Sequence, residues 1–276
     1  MDNFCITAHL FGGLGNQLFI IAVVMYYSKK YGHNSIFLKD LTHSRNCTKR
    51  DNYWNYLNTK NMLNIQDINL LKFTLVQIKQ EFHYNDLPYI PNNIILDGYF
   101  QTHLYVDFVK NEFIELLLSN DQVNINTDNV FDKIINLYKT NELISIHIRR
   151  TDYLKHTHIH TNLGFDYYLK AIKQISDQLL PIIVFTDDFE WAKKNLPIHI
   201  KNPLYFVSQD NLNDFEELIL MSKFKYNIIA NSSFSWWSSY INQNNDKKVI
   251  APSQWFYDKT IFNDWSCLYF KECIVI

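Results

Sequence analysis

Apolar residues follow two rhythms along this chain. Short, continuous runs rich in Ile, Val and Phe read as strands buried on both faces. Longer stretches with apolar positions three or four apart read as helices lying on a core. Phe4–Leu10 predicts a first strand, Gly12–Gln17 a tight loop, and Leu18–Lys30 a helix closed by Tyr31-Gly32. Ser35–Leu38 reads as the next strand. Residues 41–95 are polar, aromatic and weakly patterned, with a helical stretch at Asn61–Gln66. Ile94–Gln101 predicts a buried strand running into a loop, and Tyr105–Ser119 a helix with Val106, Val109, Phe113, Leu116 and Leu117 on its core face.

Ser119–Thr127, short and rich in Asn and Asp, reads as a linker, with Thr127 capping a helix over Asp128–Lys139. Strands are then expected at Leu143–Ile148, Pro181–Thr186, Leu204–Val207, Asn227–Asn231 and Lys248–Pro252. Helices fall between them at Gly164–Asp177, Asp214–Ser222 and Trp236–Asn242. This alternation is a βα series, so the second half is expected to be a parallel sheet covered by helices on both faces. The first half begins in the same way. The expected architecture is α/β, with two Rossmann-like domains, residues 1–126 and 127–276, facing across a cleft.

Composition narrows the class. With 276 residues and a formal charge of -2, a nucleic-acid or membrane-surface partner is not expected. The four cysteines show no C-x-x-C pair and no zinc spacing, which fits reduced thiols. The most apolar run, Leu18–Tyr27, is too short to span a bilayer. A soluble or peripherally membrane-associated cytoplasmic protein is expected. Aromatic residues reach 16%, suiting sugar-stacking surfaces and an aromatic core equally.

Candidate chemistry gathers where strands end. Leu143–Asp152 begins as a β-branched strand and finishes in Arg149, Arg150, Thr151 and Asp152. In open α/β sheets ligands bind outside the carboxyl ends of the strands, and an arginine there offers a planar, permanently charged fork to a phosphate. The turn Asn231-Ser232-Ser233 offers hydroxyls and the N–H groups of a helix start, which suit an anion. Glu216 and Glu217 lie on the preceding helix, and a carboxylate can accept paired bonds from the N1–H and exocyclic amine of guanine. Together these describe a nucleoside-diphosphate site without a metal. The Gly12–Gln17 turn after the first strand also permits close backbone approach to a phosphate or sugar. It lacks a third glycine of the dinucleotide pattern and the Gly-Lys-Ser/Thr of a Walker loop, but with Asp40 as a ribose acid it leaves an NAD(P)-dependent oxidoreductase as an alternative.

Three segments carry a resemblance. Gly12–Phe19, His147–Asp152 and Ile228–Trp237 resemble, in order, the signature blocks of the α-1,2-fucosyltransferases of glycosyltransferase family 11. Gly98–Gln101, Gly164–Tyr168 and Val184–Asp188 also look like family segments. The resemblance covers residues 5 to 265. It implies a GT-B fold with the N-terminal domain on the acceptor side. GDP-β-L-fucose would be the donor, and fucose would pass with inversion to the 2-hydroxyl of a terminal galactose in a glycan, with no metal or other cofactor. By the same resemblance Arg149 holds the β-phosphate, Ser232, Ser233 and Phe234 line the donor site, and Asn16 faces the donor. With these, Gly13, Gly15, Gln17, Arg150, Glu217 and Asn231 make up the expected donor-binding set. Two departures stand out: family members usually have glycine where Thr151 stands and aspartate near Glu217.

The general base stays open among Asp152, His147 and the histidines of the next loop. Asp152 is expected chiefly to orient the arginines. His156, His158 and His160 alternate, but a mobile acceptor-side lid is expected there in preference to a zinc site. At least one of Trp236 and Trp237 is expected in the core, and Asp187-Asp188 lacks the D-x-D spacing of a metal motif. Acceptor contacts are expected in residues 41–95 and 153–163. A bacterial or viral source fits the lack of an anchor. A sugar-nucleotide or glycan-binding protein without catalysis is the non-enzymatic alternative.

Overall fold

The structure, a computed structural model, describes residues 4–39, 52–57, 64–67, 69–77, 82–257 and 265–276. Asp40, Cys47 and the first half of the Asn61–Gln66 stretch lie outside them. The chain divides into two compact units, Met1–Asn120 with Asp264–Leu268, and Asp121–Asn263 with Tyr269–Ile276.

The first unit contains β1 (Cys5–Ala8), α1 (Leu14–Tyr31), β2 (Asn34–Ser35), β3 (Phe37–Leu38), β4 (Ile65–Gln66), β5 (Thr74–Gln77), β6 (Ile94–Asp97), α2 (His103–Phe108) and α3 (Lys110–Leu118). Its main sheet has the order β2-β1-β6-β5, and β3 pairs separately with β4. All of these pairings are parallel. Three expectations change here. The first helix begins at Leu14, so Gly15, Asn16 and Gln17 form its opening turn instead of a loop. It stops at Gly32, whose φ of 78° suits a residue without a Cβ and lets its N–H cap Ser28. The helix expected over Tyr105–Ser119 is two helices meeting at Val109, and Ile65–Gln66 is strand, not helix.

The second unit opens on α4 (Asp121–Tyr138) and continues through β7 (Ile144–Ile148), α5 (Phe165–Ile175), β8 (Ile182–Thr186) and α6 (Phe189–His199). It ends with β9 (Leu204–Phe206), α7 (Asp214–Ser222), β10 (Tyr226–Ile228), α8 (Ser233–Tyr240), β11 (Lys248–Ala251) and β12 (Cys273–Val275). The expected linker over Ser119–Thr127 is therefore mostly helix. Thr127 caps nothing; it lies buried within α4, with its hydroxyl donated to the Asn124 carbonyl. A domain boundary at 126/127 would cut that helix, and the compact units divide six residues earlier, at 120/121.

The sheet order is β12-β11-β10-β7-β8-β9, parallel throughout. Numbered within the unit, this is the doubly wound order 3-2-1-4-5-6 read from the other edge. Ile144, Ile146 and Ile148 point to one face, where they join Tyr168, Ala171, Ile172 and Ile175 of α5 and Ile182 and Val184 of β8 in a continuous core. Trp236 and Trp237 of α8 are both fully buried. The chain leaves β7 toward β8 on one side and returns to β10 on the other. The carboxyl ends of β7 and β10 therefore flank the point where strand order reverses, the place where open α/β sheets bind their ligands.

Candidate functional site

Register brings the second unit's polar residues together. Ile146 pairs with Ile228 and Ile148 with Thr186. Arg149 thus leaves the sheet between the turn after β10 and the Asp187 loop after β8. The Tyr153 hydroxyl donates to the Asn231 carbonyl at 2.6 Å, tying the arginine loop to that turn.

The Arg149 guanidinium is mostly enclosed, with a quarter of its side chain exposed. It donates to Asp152 Oδ2 at 2.6 Å and lies 3.3 Å from Asp187 Oδ2. Burial works against its charge, but the two carboxylates outweigh that and raise its pKa. Burial would likewise raise the Asp152 carboxyl, and the bond from Arg149 overrides it and holds the group below its ordinary value. Arg150 takes a different course. Its guanidinium stacks on the Trp191 ring, 3.5 Å from the centroid, and its Nε reaches Asp188 at 3.4 Å. Of the two arginines, Arg149 is therefore the one not drawn off to Trp191 and Asp188.

Ser232 is the N-cap of α8, in extended conformation, and its own side chain makes no cap bond. The helix begins at Ser233, three residues before the expected Trp236, so Ser233 and Phe234 occupy its first turn. The Asn231 side chain is directed elsewhere, donating to the carbonyls of Thr161 at 2.9 Å and Trp255 at 2.7 Å. Its contribution is to hold the turn in shape.

His147 sits inside the sheet, buried, with Nδ1 2.9 Å from Ser235 Oγ and its ring against Phe234, 5.0 Å between centroids. Burial first, and the neighbouring Arg149 second, push its pKa down to about 3. A neutral ring so enclosed fixes the start of α8 and is badly placed to meet an acceptor hydroxyl. Asp152 is nearly half exposed as a side chain, but its Oδ2 is taken by Arg149 and its Oδ1 is buried without a hydrogen-bond partner.

The two glutamates separate. Glu216 accepts from the Asn213 backbone at 3.0 Å and the Asn213 side chain at 2.7 Å, closing a capping box, and from Asn126 at 2.5 Å. Glu217 makes none of these bonds; burial, with Asp214 and Asp210 nearby, raises its pKa to about 7. It is the carboxylate of the pair still open to a base.

The loop after Asp152 is ordered by aromatic contacts. His160 stacks on Tyr153 with centroids 4.1 Å apart and bridges in antiparallel fashion to Phe256. Burial lowers its pKa to about 4. His156 and His158 are exposed. Among the described residues, no three His, Cys, Asp or Glu side chains group as a metal site.

Gly13, Gly15, Asn16 and Gln17 lie in the first unit, where β1 gives way to α1. Gly12 has φ +78°, and a Cβ there would sit 2.6 Å from Asn16 Nδ2. Asn16 Oδ1 accepts from Gln101 at 2.7 Å, and Gln17 Nε2 donates to the Gly12 carbonyl at 3.0 Å. Gly13 is the N-cap of α1, extended and without a side-chain cap bond.

Comparisons with known proteins give a family and a fold. The model of glycosyl transferase family 11 matches residues 9–268. The O-antigen biosynthesis glycosyltransferase WbnK of Escherichia coli is 32% identical over 90% of this chain and 93% of its own. An α-1,2-colitosyltransferase of the same species is 29% identical, covering 91% and 92%. Among solved structures, the fucosyltransferase NodZ from Bradyrhizobium aligns with a TM-score of 0.52 at 10% identity, covering 87% of this chain and 93% of that one. NodZ, an α-1,6-fucosyltransferase, has also been co-crystallised with GDP. At that identity the likeness speaks for the GT-B-type fold alone.

Proposed function

Because the chain belongs to glycosyl transferase family 11, we propose that it is an inverting fucosyltransferase. In this reading it moves L-fucose from GDP-β-L-fucose to the 2-hydroxyl of a terminal galactose in a glycan. The acceptor oxygen bonds to the anomeric carbon on the face opposite the diphosphate, the carbon–phosphate-oxygen bond breaks, and GDP leaves with the electron pair. The acceptor proton passes to Asp152 or to water.

The observation that supports this reading is that the Arg149 loop and the start of α8 follow the neighbouring strands β7 and β10 at the strand-order reversal, tied by the bond from Tyr153 to Asn231. As the glycosidic bond breaks, negative charge grows on the diphosphate. A guanidinium and helix-start N–H groups, already oriented, stabilise that charge without reorganising. Asp152 and Asp187 hold the guanidinium until the nucleotide arrives, and the diphosphate must then share or displace Asp152. Glu217 is suited to accept from the guanine edge. No step in this scheme requires a metal.

The names of the relatives support a glycan acceptor and the α-1,2 linkage. One of them also favours a second reading, transfer of colitose in place of fucose by the same chemistry. Incubation with GDP-fucose or GDP-colitose and a panel of galactosides, followed by mass spectrometry and linkage analysis, tests both. An α-1,2-fucosylated galactoside is expected; transfer from GDP-colitose alone would select the second reading, and no transfer from either would refute both. No helix among the described residues is long and apolar enough to cross a membrane.

A further inference from the structure

We infer that Asp187 is the positioning residue of the donor site: its carboxylate sets where Arg149 points by holding the backbone of the arginine loop. This rests on the reading of Arg149 as the diphosphate ligand.

Residues 149–151 leave the sheet without entering a helix, so their backbone N–H groups have no ladder partner. Asp187, one step beyond the end of β8, supplies one. Its Oδ1 accepts the Arg150 N–H at 2.9 Å, and its Oδ2 accepts the Thr151 N–H at 3.1 Å and the Thr151 hydroxyl at 2.5 Å. The same Oδ2 lies 3.3 Å from the Arg149 guanidinium. One carboxylate thus fixes two consecutive peptide groups and steers the charged fork just before them. It is itself well enclosed, 18% exposed, so it is not offered to a ligand.

Neighbouring contacts reinforce that geometry without duplicating it. Asp188 caps α6 through the Trp191 N–H at 3.3 Å and draws Arg150 onto the Trp191 ring. Asp187 is therefore left with the backbone and with Arg149. Thr151 contributes two of the donors, and its hydroxyl bond would be absent with a glycine there. An asparagine at 187 keeps one acceptor oxygen but turns an NH2 toward a group of donors. At least one loop N–H then loses its partner, and Arg149 loses an anion.

The test measures GDP and GMP affinity by calorimetry in the wild type, Asp187→Asn and Thr151→Val, with the melting temperature of each. The two nucleotides differ by the β-phosphate that Arg149 is to hold. Wild type should prefer GDP. Asp187→Asn should weaken GDP by about tenfold, the worth of a charge-assisted bond, and leave GMP within about twofold, so the preference shrinks. Turnover should fall by more than KM rises. Thr151→Val, which removes only the hydroxyl donor, should move the same ratio less, with an unchanged melting temperature, and it decides the matter if Asp187→Asn folds poorly. A wild-type preference that survives in these variants would overturn the inference alone. A wild type that does not distinguish GDP from GMP would overturn the diphosphate reading and the inference together.

Discussion

His147 Nδ1 and Ser235 Oγ lie 2.9 Å apart in the buried interior, joining β7, the strand just before Arg149, to α8. The bond is buried at both ends, so removing one partner leaves a polar atom without water to replace it. Ser235→Ala is expected to destabilise the protein by about 1–3 kcal/mol, readable as a lower melting temperature. The His147 pKa of about 3 also makes the fold acid-sensitive. Unfolded histidine binds a proton below about 6.5 while the buried ring does not, so this contribution is complete above that pH and fades as pH falls toward 3. Because other groups titrate in the same range, the readout is the difference in melting temperature between wild type and His147→Phe; a difference that stays constant between pH 7 and 5 would contradict it.

Arg149→Ala is expected to lower turnover by ~10²–10³, the usual loss when one preorganised donor to a developing anion is removed. Arg149→Lys should recover little of it, because a point charge cannot reproduce a fork held by Asp152 and Asp187. Steady-state kinetics with saturating acceptor provide the measurement. A variant retaining more than about a tenth of wild-type turnover would go against the assignment.

Glu217 gives the site a pH dependence of predictable sign. Its carboxyl, with a pKa of about 7 when no base is bound, must be ionised to accept two donors from guanine. GDP binding should therefore release a proton and strengthen as pH rises through 7. For folding the sign is opposite: the native protein holds this proton more tightly than the unfolded chain, so stability falls as pH rises from about 4.5 to 7. Glu217→Gln should flatten both trends, and equal slopes in wild type and variant would dismiss the role.

Gly12 and Gly13 separate backbone strain from ligand approach. Gly12→Ala places a Cβ at φ +78° against Asn16 and should lower stability by more than about 1 kcal/mol. At Gly13 an added Cβ meets nothing within 4 Å, so Gly13→Ala should melt like wild type. If its N–H approaches the donor, the same variant should still lose transfer activity. Full activity would remove Gly13 from the donor set.

Much of this was legible in the sequence. The run from Ile144 to Ile148 announces a buried strand because both faces are covered, and the arginines at its end mark the site. Trp236 and Trp237 fall in the core, as a helix behind an apolar strand requires. Periodicity could not assign the polar groups. Glu216 and Glu217 look alike in sequence, yet the capping box engages one and leaves the other. Asn231 and His147 carry ligand-like chemistry but direct it inward, to loop carbonyls and to Ser235. Asp187 stands out only as half of an acidic pair whose spacing is wrong for a metal motif. The signal that identifies it is tertiary, since it follows the strand paired with β7. The pattern predicts helix starts at Leu18 and Trp236, later than the observed Leu14 and Ser233, because residues of the signature blocks look like loop but form first turns.

The most direct measurement is the position of the diphosphate in a crystal of this protein grown with GDP. The account predicts the β-phosphate within hydrogen-bond distance of the Arg149 guanidinium and of the first backbone N–H groups of the helix beginning at Ser233, with Asp152 moved aside or sharing the arginine. A diphosphate bound away from Arg149, or bridging to that helix start without it, would contradict the account.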